Sequence, residues 1–174
     1  MADRKLDVKL ISAKDLKKVN KSKMHVYVVA WVDPIVRVHG PVDKTNGCNP
    51  VWDETTITVT LEARALAANM KLNIELVGQG FLSTKPIGYV VIDLTELMQE
   101  GATGAAATAQ FLAHEVTLPT GELQGNISFE LHLQECPSML AAQAAQAAQE
   151  PNQETAQKSA QETSQETAQE ITPA

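Results

Sequence analysis

Large apolar side chains occupy every second position in several short runs of the first 134 residues. Residues 6–10 alternate leucine or valine with charged residues, and residues 72–76 alternate leucine or isoleucine with polar ones. A period of two is typical of a β-strand with one buried face. Residues 24–33 are apolar on both faces, which indicates a central strand with Trp31 in the core. Five more strands are predicted, over residues 35–39, 56–61, 87–92, 111–118 and 126–133.

Residues that favour turns separate these runs. Asn46-Gly47 readily takes the positive φ angles of a tight turn, and Pro50 pushes Asn49 out of the helical region. The chain therefore predicts an all-β fold, an eight-stranded antiparallel β-sandwich. Outside the strands the residue types predict a short helix at 62–69, a loop at 78–86, a helical turn at 93–98 and a mobile insertion at 101–109.

The composition divides the chain into a domain, residues 1–135, and a low-complexity tail, residues 136–174. The tail is built almost entirely from Ala, Gln, Glu, Thr and Ser, and beyond Leu140 its only large aliphatic residue is Ile171. Such a segment cannot offset its ordering entropy by burial, so we expect it to be disordered or weakly helical. The alternative is weak self-association, because glutamines recur every fourth residue from 157 to 169.

Charge is unevenly distributed along the chain. The net charge is −7, but residues 135–174 hold six glutamates against one lysine, whereas residues 1–30 hold eight basic residues against three aspartates. A mildly acidic domain with few aromatic residues does not fit nucleic-acid binding. No apolar run is long enough to span a bilayer or to form a signal peptide. Cys48 and Cys136 lack metal-ligand spacing, so we expect reduced thiols and a cytoplasmic location.

Three stretches carry a family resemblance. Residues 45–54, Thr-Asn-Gly-Cys-Asn-Pro-Val-Trp-Asp-Glu, resemble the Asn-Pro-x-Trp-Asn/Asp-Glu corner of C2 domains, the membrane-docking β-sandwich first known from protein kinase C. Residues 6–16 resemble the family's opening strand with its Ala-x-x-Leu end, and residues 87–92 resemble its Ile-Gly strand start. The resemblance covers residues 3–134. The layout, with a low-complexity tail after the C2 core, is similar to that of small single-C2 proteins of plants.

The resemblance also implies a topology. The chain opens on the Leu-x-Val-x-Leu strand, and residues 125–131 look like the strand that many C2 domains place first. We therefore expect the second C2 topology (type II), which is a circular permutation of the first.

In calcium-binding C2 domains, aspartates in the loops at one end of the sandwich hold the ions. The resemblance places other residues at those degenerate calcium-site positions, namely Asn20, His25, Gly78, Gly80 and Lys85. Calcium requires about six to eight oxygen ligands, several of them anionic. None of these residues has a carboxylate, so we expect no bound calcium, no other metal and no cofactor.

Cations and apolar side chains remain at that end of the sandwich. The residues predicted to bind lipid are Lys17, Lys18, Lys21, Lys23, Phe81, Leu82 and Lys85. The alternative is a solvated loop over two hydrophobic residues that fold back onto the domain. A weaker candidate is a basic groove for phosphoinositides at Arg37, His39 and Lys44, with Asp43 among them.

No motif indicates catalysis. The chain lacks a Gly-x-Ser-x-Gly nucleophile elbow, a His-Glu-x-x-His metal motif and a Gly-Lys-Ser/Thr phosphate loop. Two functions remain. One is calcium-independent peripheral binding to anionic phospholipid membranes, as an adaptor in signalling or trafficking. The other is a soluble interaction or assembly module whose sandwich binds a protein partner without lipid.

Overall fold

A computed structural model of the chain describes residues 3–62, 70–142, 144 and 145. This part of the chain contains eight β-strands and one short α-helix in its first 136 residues. In chain order they are β1 (Arg4–Lys14), β2 (His25–Trp31), β3 (Val38–His39), β4 (Val51–Leu61), β5 (Lys71–Gln79), β6 (Thr84–Asp93), α1 (Thr95–Glu100), β7 (Ala107–Thr117) and β8 (Leu123–Leu133).

The eight strands are hydrogen-bonded in the order β3-β2-β5-β6-β7-β8-β1-β4, and every pair is antiparallel. The pair Tyr89–Thr117 alone joins β6 to β7, so the sheet is narrowest there. The fold is the predicted all-β sandwich. Strand β1 pairs with β8 on one side and β4 on the other, which is the strand order of the type II topology.

One hydrophobic core lies between the two parts of the sheet. Leu6, Val8 and Leu10 of β1 are fully buried, and so are the inward residues Val26 and Val28 of β2. Every second residue of these strands points into the same cluster because successive side chains of a strand alternate between its faces. Burial of each such aliphatic side chain contributes about 1.5–3 kcal/mol, which makes this cluster the main source of stability.

The corner at residues 45–54 is held to the sheet by Asp43 and by the β1–β2 segment. The backbone of Asp43 pairs with Val26 of β2. The amide of Ala13 donates to the Pro50 carbonyl at 3.0 Å, and the amide of Leu16 donates to the Cys48 carbonyl at 3.1 Å. The corner includes Trp52, which is 3% exposed and belongs to the core.

The prediction of a mobile insertion at residues 101–109 is wrong. Arg4, which is 3% exposed, donates hydrogen bonds to the carbonyls of Gly101, Ala105 and Gln134, the last two at 2.8 and 2.9 Å. Strand β7 then begins at Ala107. The segment has no large side chain of its own, but a guanidinium from the start of the chain binds its backbone carbonyls and fixes it.

Two other boundaries differ from those predicted. The third strand is only two residues long, because Asp33 accepts hydrogen bonds from the backbone amides of Ile35 and Val36 and forms a turn there. The loop predicted at 78–86 is restricted to residues 80–83 by the strand pairing on either side. The helix predicted at 62–69 lies, beyond Glu62, outside the described residues. The helical turn near residue 95 is present as α1.

The chain divides after Cys136 into two units. In the second unit, residues 137–142, 144 and 145 are helical. The predictions of disorder and of self-association concern residues 146–174 above all, which lie outside the described residues. No helix in the described part of the chain is long and apolar enough to cross a membrane.

Candidate functional site

Two connections meet at one end of the domain. The pairing of His25 with Gln79 places the start of β2 beside the end of β5, so the β1–β2 segment reaches the β5–β6 turn. Together they form a cleft of about 320 Å³, here called the loop cleft. Its lining residues are Asn20, Lys21, Ser22, Gly80, Phe81, Leu82, Ser83 and Lys85. The structure thus brings together two loops that are about sixty residues apart in the sequence.

The β5–β6 turn holds Phe81 and Leu82 away from the domain. The amide of Gly80 donates to the carbonyl of Ser83 at 2.8 Å, so these two side chains are the central residues of a tight turn. Phe81 is 90% exposed and Leu82 is 91% exposed. A turn this short has no spare chain that would let them fold back, and the alternative in which they cover the domain does not hold. We call Phe81 and Leu82 the apolar tip.

Gly80 lies where the two loops approach each other closely. A Cβ atom at this position would lie 3.0 Å from Cγ of Asn20 and 3.2 Å from the carbonyl oxygen of Ser83. Almost no side chain is accommodated at such distances without movement of the turn. The close approach therefore depends on a residue that has no side chain.

Five exposed lysines lie in the β1–β2 segment and near the start of β6, and we call them the lysine cluster: Lys17, Lys18, Lys21, Lys23 and Lys85. The ion pairs found among the described residues join Lys9 to Glu54 and to Glu130, and none involves the cluster. Lys21 and Lys85 line the loop cleft, whereas the other three lysines lie outside it. Of the predicted lipid-binding residues, the cleft thus brings together Lys21, Phe81, Leu82 and Lys85, and no ion pair found among the described residues compensates the two lysines.

The degenerate calcium-site positions have different surroundings. Asn20 is 5% exposed and its amide nitrogen has no hydrogen-bond partner among the described residues. Gly78, expected in the loop, lies within β5, where a Cβ atom would be 2.8 Å from Val19. His25 is the first residue of β2, half-buried, and Lys85 lies near the start of β6.

No carboxylate lines the loop cleft. Within residues 3–62, 70–142, 144 and 145, no group of three or more His, Cys, Asp or Glu side chains could hold a metal ion. The chemistry of the lining favours an anion over a cation, because it offers ammonium, hydroxyl and amide groups.

The residues of the candidate phosphoinositide groove have different surroundings. The Arg37 guanidinium lies 4.4 Å from the centre of the Trp31 ring, and the His39 ring stacks on Tyr27 with 6.0 Å between centroids. Lys44 is exposed at the corner, next to Asp43, whose backbone pairs with Val26 of β2.

A second cavity, which the sequence analysis missed, lies on the outer face of β2, β5 and β6. It has a volume of about 480 Å³ and is here called the sheet groove, with lining residues Trp31, Arg37, Asn73, Glu75, Pro86, Gly88, Tyr89, Val91 and Pro119. The prediction that Trp31 is a core residue is wrong, because this side chain points outward and is half-buried under Arg37. Because residues 24–33 are apolar on both faces, the sequence alone does not show that Val28 and Ala30 face the core and Trp31 faces outward.

The fold and this pair of loops agree with one family of domains. Residues 4–107 match the family model of the C2 domain. The chain therefore belongs to the C2 domain family. It is similar to Protein SRC2 of Glycine max, with 30% identity over 161 residues and 87% of this chain, and to the Protein SRC2 homolog of Arabidopsis thaliana, with 29% identity over 139 residues and 78% of this chain. This chain spans 54% and 42% of the lengths of those two proteins.

Solved C2 domains share the fold. The C2A domain of plant extended synaptotagmin 1 has a TM-score of 0.56 at 16% identity, over 76% of this chain and 95% of that domain. The calcium-bound C2A and C2B domains of extended synaptotagmin 2 give a TM-score of 0.54 at 20% identity, over 75% of this chain and 45% of that one. At such identities the likeness shows the fold alone. The family assignment supports a module that interacts with a membrane or with a protein.

Proposed function

We propose that this chain is a non-catalytic module that attaches peripherally, without calcium, to anionic phospholipid membranes at the cytoplasmic face, as an adaptor in signalling or trafficking. The observation that carries the proposal is the apolar tip, in which Phe81 and Leu82 are 90% and 91% exposed. A tight turn keeps both side chains in water, where their hydration is unfavourable. Insertion into a bilayer removes that apolar surface from water.

The lysine cluster and the apolar tip act from the same end of the domain. Lys21 and Lys85 line the same cleft as Phe81 and Leu82, so one orientation presents both charge and apolar surface to a membrane. Because no ion pair compensates the cluster among the described residues, its positive charge is available to an anionic surface.

The contributions of these residues to the free energy of membrane binding predict weak attachment. Each lysine near an anionic leaflet contributes roughly 1 kcal/mol, and burial of Phe81 or Leu82 contributes about 1.5–3 kcal/mol each. Four lysines and both tip residues together give about 7–10 kcal/mol, from which the loss of rigid-body freedom must be subtracted. Binding by a single copy should therefore be reversible and sensitive to salt, because screening weakens the lysine contribution.

Sedimentation with phosphatidylserine vesicles tests the proposal. We expect the double variant Phe81→Ala/Leu82→Ala to lose most binding at every salt concentration, because it removes the insertion energy. The matched control is Ile35→Ala/Val36→Ala, which removes exposed apolar surface (87% and 46% exposed) beyond the other end of β2. The control should bind like the wild type. Equal binding by all three proteins would exclude the apolar tip from the function.

A parallel set of variants tests the charges. We expect replacement of Lys17, Lys18, Lys21 and Lys23 by glutamine to reduce binding at low salt and to have little effect at high salt, where the charges are already screened. A calcium chelator should leave wild-type binding unchanged. Binding that requires calcium would contradict the proposal.

A second candidate function is favoured by the sheet groove. Its outward Trp31, Tyr89 and Val91 form an apolar surface on the sheet, and such surfaces mark protein contacts. If the chain is a protein-interaction module, it should ignore lipid and retain a specific partner. Loss of that partner in Tyr89→Ser, with retention in Phe81→Ala/Leu82→Ala, would favour this function over membrane attachment.

A further inference from the structure

The sheet ends in two edge strands of very different length. The strand order begins at β3, which has two residues, and ends at β4, which has eleven. β4 pairs with β1 on one side, and on its other side it has no strand partner among the described residues. Alternate residues of an antiparallel strand direct their N–H and C=O groups to each side, so the outer side of β4 offers a row of backbone donors and acceptors to a further strand.

The second half of β4 lacks the features with which proteins usually protect an edge. Charged side chains, proline, bulges and short length all hinder pairing with another chain. Residues 55–61, here called the edge segment, are Thr-Thr-Ile-Thr-Val-Thr-Leu, without a charge or a proline, and their register with β1 has no shift. The positive φ angles of β4 are at Asp53 and Glu54, before this segment. Of the two edges, β3 is thus protected by its length, whereas the edge segment is not protected.

The edge segment has a pattern that is symmetric about its central residue. Thr56, Thr58 and Thr60 are exposed on the outer face of the sheet, and Ile57 and Val59 between them are buried in the core. The order of polar and apolar side chains is therefore the same in both directions. Two such strands can pair antiparallel with threonine opposite threonine and aliphatic opposite aliphatic, which are favourable cross-strand pairs.

Charge does not oppose the meeting of two identical edge segments. The charged residues beside the segment lie on β1, namely Lys5, Asp7 and Lys9. In a joined sheet the β1 strands of two copies would be three inter-strand spacings apart, roughly 14 Å. That exceeds the Debye length of about 8 Å at physiological ionic strength, so repulsion between them is screened. Glu54, which would come nearest to Glu62 of the second copy, is paired with Lys9, with 3.5 Å between Oε2 and Nζ.

We propose that a second copy of this chain occupies the open edge, with two β4 strands paired antiparallel over residues 55–61 about a two-fold axis at Thr58. This register pairs all seven residues of the edge segment, whereas a shift towards the start of β4 would include Asp53 and Glu54 with their positive φ angles. The contact uses the same patch on both copies, as a closed two-fold dimer requires. The inference goes beyond the proposed function, because the dimer forms without lipid.

Sedimentation equilibrium of the full chain, without vesicles, tests the dimer. We expect a monomer–dimer equilibrium with a dissociation constant on the order of 10–100 µM, because one edge pairing buries a small area. Thr58→Lys and Thr58→Glu each place two like charges directly opposite each other, so each should weaken the dimer at least about tenfold. A wild type that stays monomeric up to about 1 mM would overturn the proposal.

A mixture of the two variants tests the position of the axis. In an equimolar mixture lysine can lie opposite glutamate, so we expect the dimer to return to about the wild-type strength, a result that misfolded variants could not give. A mixture that is no more dimeric than either variant alone would overturn the pairing at Thr58.

Thr108→Lys is the matched control, because it makes the same change at an exposed threonine of β7. It should form the dimer like the wild type. Loss of the dimer in this control would show that added charge alone prevents association, which contradicts the proposed contact. A dimer that persists in Thr58→Lys would assign association to another surface, such as the tail, and also overturn the proposal.

The antiparallel contact has a consequence for membranes, and this consequence rests on the proposed function. Val51 at the start of β4 pairs with Ser12 near the end of β1, which leads into the loop cleft. The second β4 runs in the opposite direction, so the two apolar tips lie at opposite ends of the dimer. One dimer can then attach to two membranes.

Light scattering with phosphatidylserine vesicles measures this arrangement. The wild type and Thr108→Lys should bind and cluster the vesicles, whereas Thr58→Lys should bind them as tightly as Thr108→Lys without clustering. Binding without clustering by a dimeric wild type would overturn the antiparallel arrangement. Absence of binding in all three proteins, with the dimer present in sedimentation, would overturn the proposed function and leave the dimer intact.

Discussion

The carboxylate of Asp43 accepts a hydrogen bond of 2.7 Å from the backbone amide of Val51, eight residues further along the chain. The same carboxylate accepts hydrogen bonds from the amide and hydroxyl of Thr45 and from the amide and side chain of Asn46. From the sequence alone, the negative charge of Asp43 counted against the candidate phosphoinositide groove. In the structure its oxygens point into the corner and close it.

Loss of the Asp43 carboxylate should destabilise the domain. Asp43→Ala leaves several partly buried donors of Thr45, Asn46 and Val51 without an acceptor, and we expect a cost of about 3 kcal/mol in the free energy of unfolding. Asp43→Asn keeps the size and one acceptor oxygen, so it should cost less. Urea unfolding measures both values. Little loss of stability in Asp43→Ala would show that these hydrogen bonds do not hold the corner.

Acid should weaken the same corner. Burial alone would raise the pKa of the Asp43 carboxyl, but hydrogen bonds from the side chain of Asn46 and from the amides of Thr45, Val51 and Asn46 outweigh it and hold the pKa well below its usual range. A carboxyl group with a lowered pKa stabilises the fold fully above its unfolded pKa of about 3.9, and this contribution is lost as the pH falls towards the folded value.

The pH dependence gives a direct comparison. Between about pH 5 and pH 2 the wild type should lose more stability than Asp43→Asn, because only the wild type must protonate this group on unfolding. If the free energy of unfolding falls with pH in parallel for the two proteins, Asp43 has no role in acid sensitivity.

Arg4 should be essential for order in the segment that follows α1. Arg4→Met removes three hydrogen bonds to the carbonyls of Gly101, Ala105 and Gln134. Arg4→Lys keeps the charge but cannot reproduce the planar arrangement of donors. Both variants should lose about 2–3 kcal/mol of stability. Hydrogen exchange should become faster over residues 101–106 in both, whereas normal protection there in either variant would contradict this role of the guanidinium.

The two tryptophans should be distinguishable by fluorescence. Trp52 is 3% exposed in the core, whereas Trp31 lies half-buried on the outer face beneath Arg37. Trp31→Phe should remove the component that emits at longer wavelength and is quenched by iodide, and Trp52→Phe should leave it. Arg37→Ala should increase the quenching of Trp31 by exposing its ring. An iodide-resistant Trp31 would place this residue in the core after all.

Calcium should not bind at the loop cleft. The lining offers no carboxylate, and the ammonium groups of Lys21 and Lys85 repel a divalent cation. Calorimetric titration should show no site tighter than about 1 mM, a value at the weak end of known protein sites. A tighter site that disappears in Asn20→Ala would overturn the assignment of the cleft to anions.

Most of the fold could be predicted because its signals are local. The period-two pattern of β1 and β5 results from the alternation of side chains along a strand, and the turn residues near Asn46 act through their own backbone preferences. The sequence also placed Phe81 and Leu82 in a loop and showed that the positions aligned with calcium ligands have no acid, but Lys85, predicted in the same loop, lies in β6. These features depend on residue type and on short spacing.

Contacts between segments that are far apart in the sequence follow only from the tertiary structure. Arg4 fixes a segment about a hundred residues away, and Trp31 points outward because the other face of its apolar strand meets the core. Only the pairing of β2 with β5 brings Asn20 to the apolar tip, where its amide nitrogen has no hydrogen-bond partner among the described residues. Such relationships depend on which surfaces meet after the chain collapses, and the order of residues along the chain does not encode them in any local pattern.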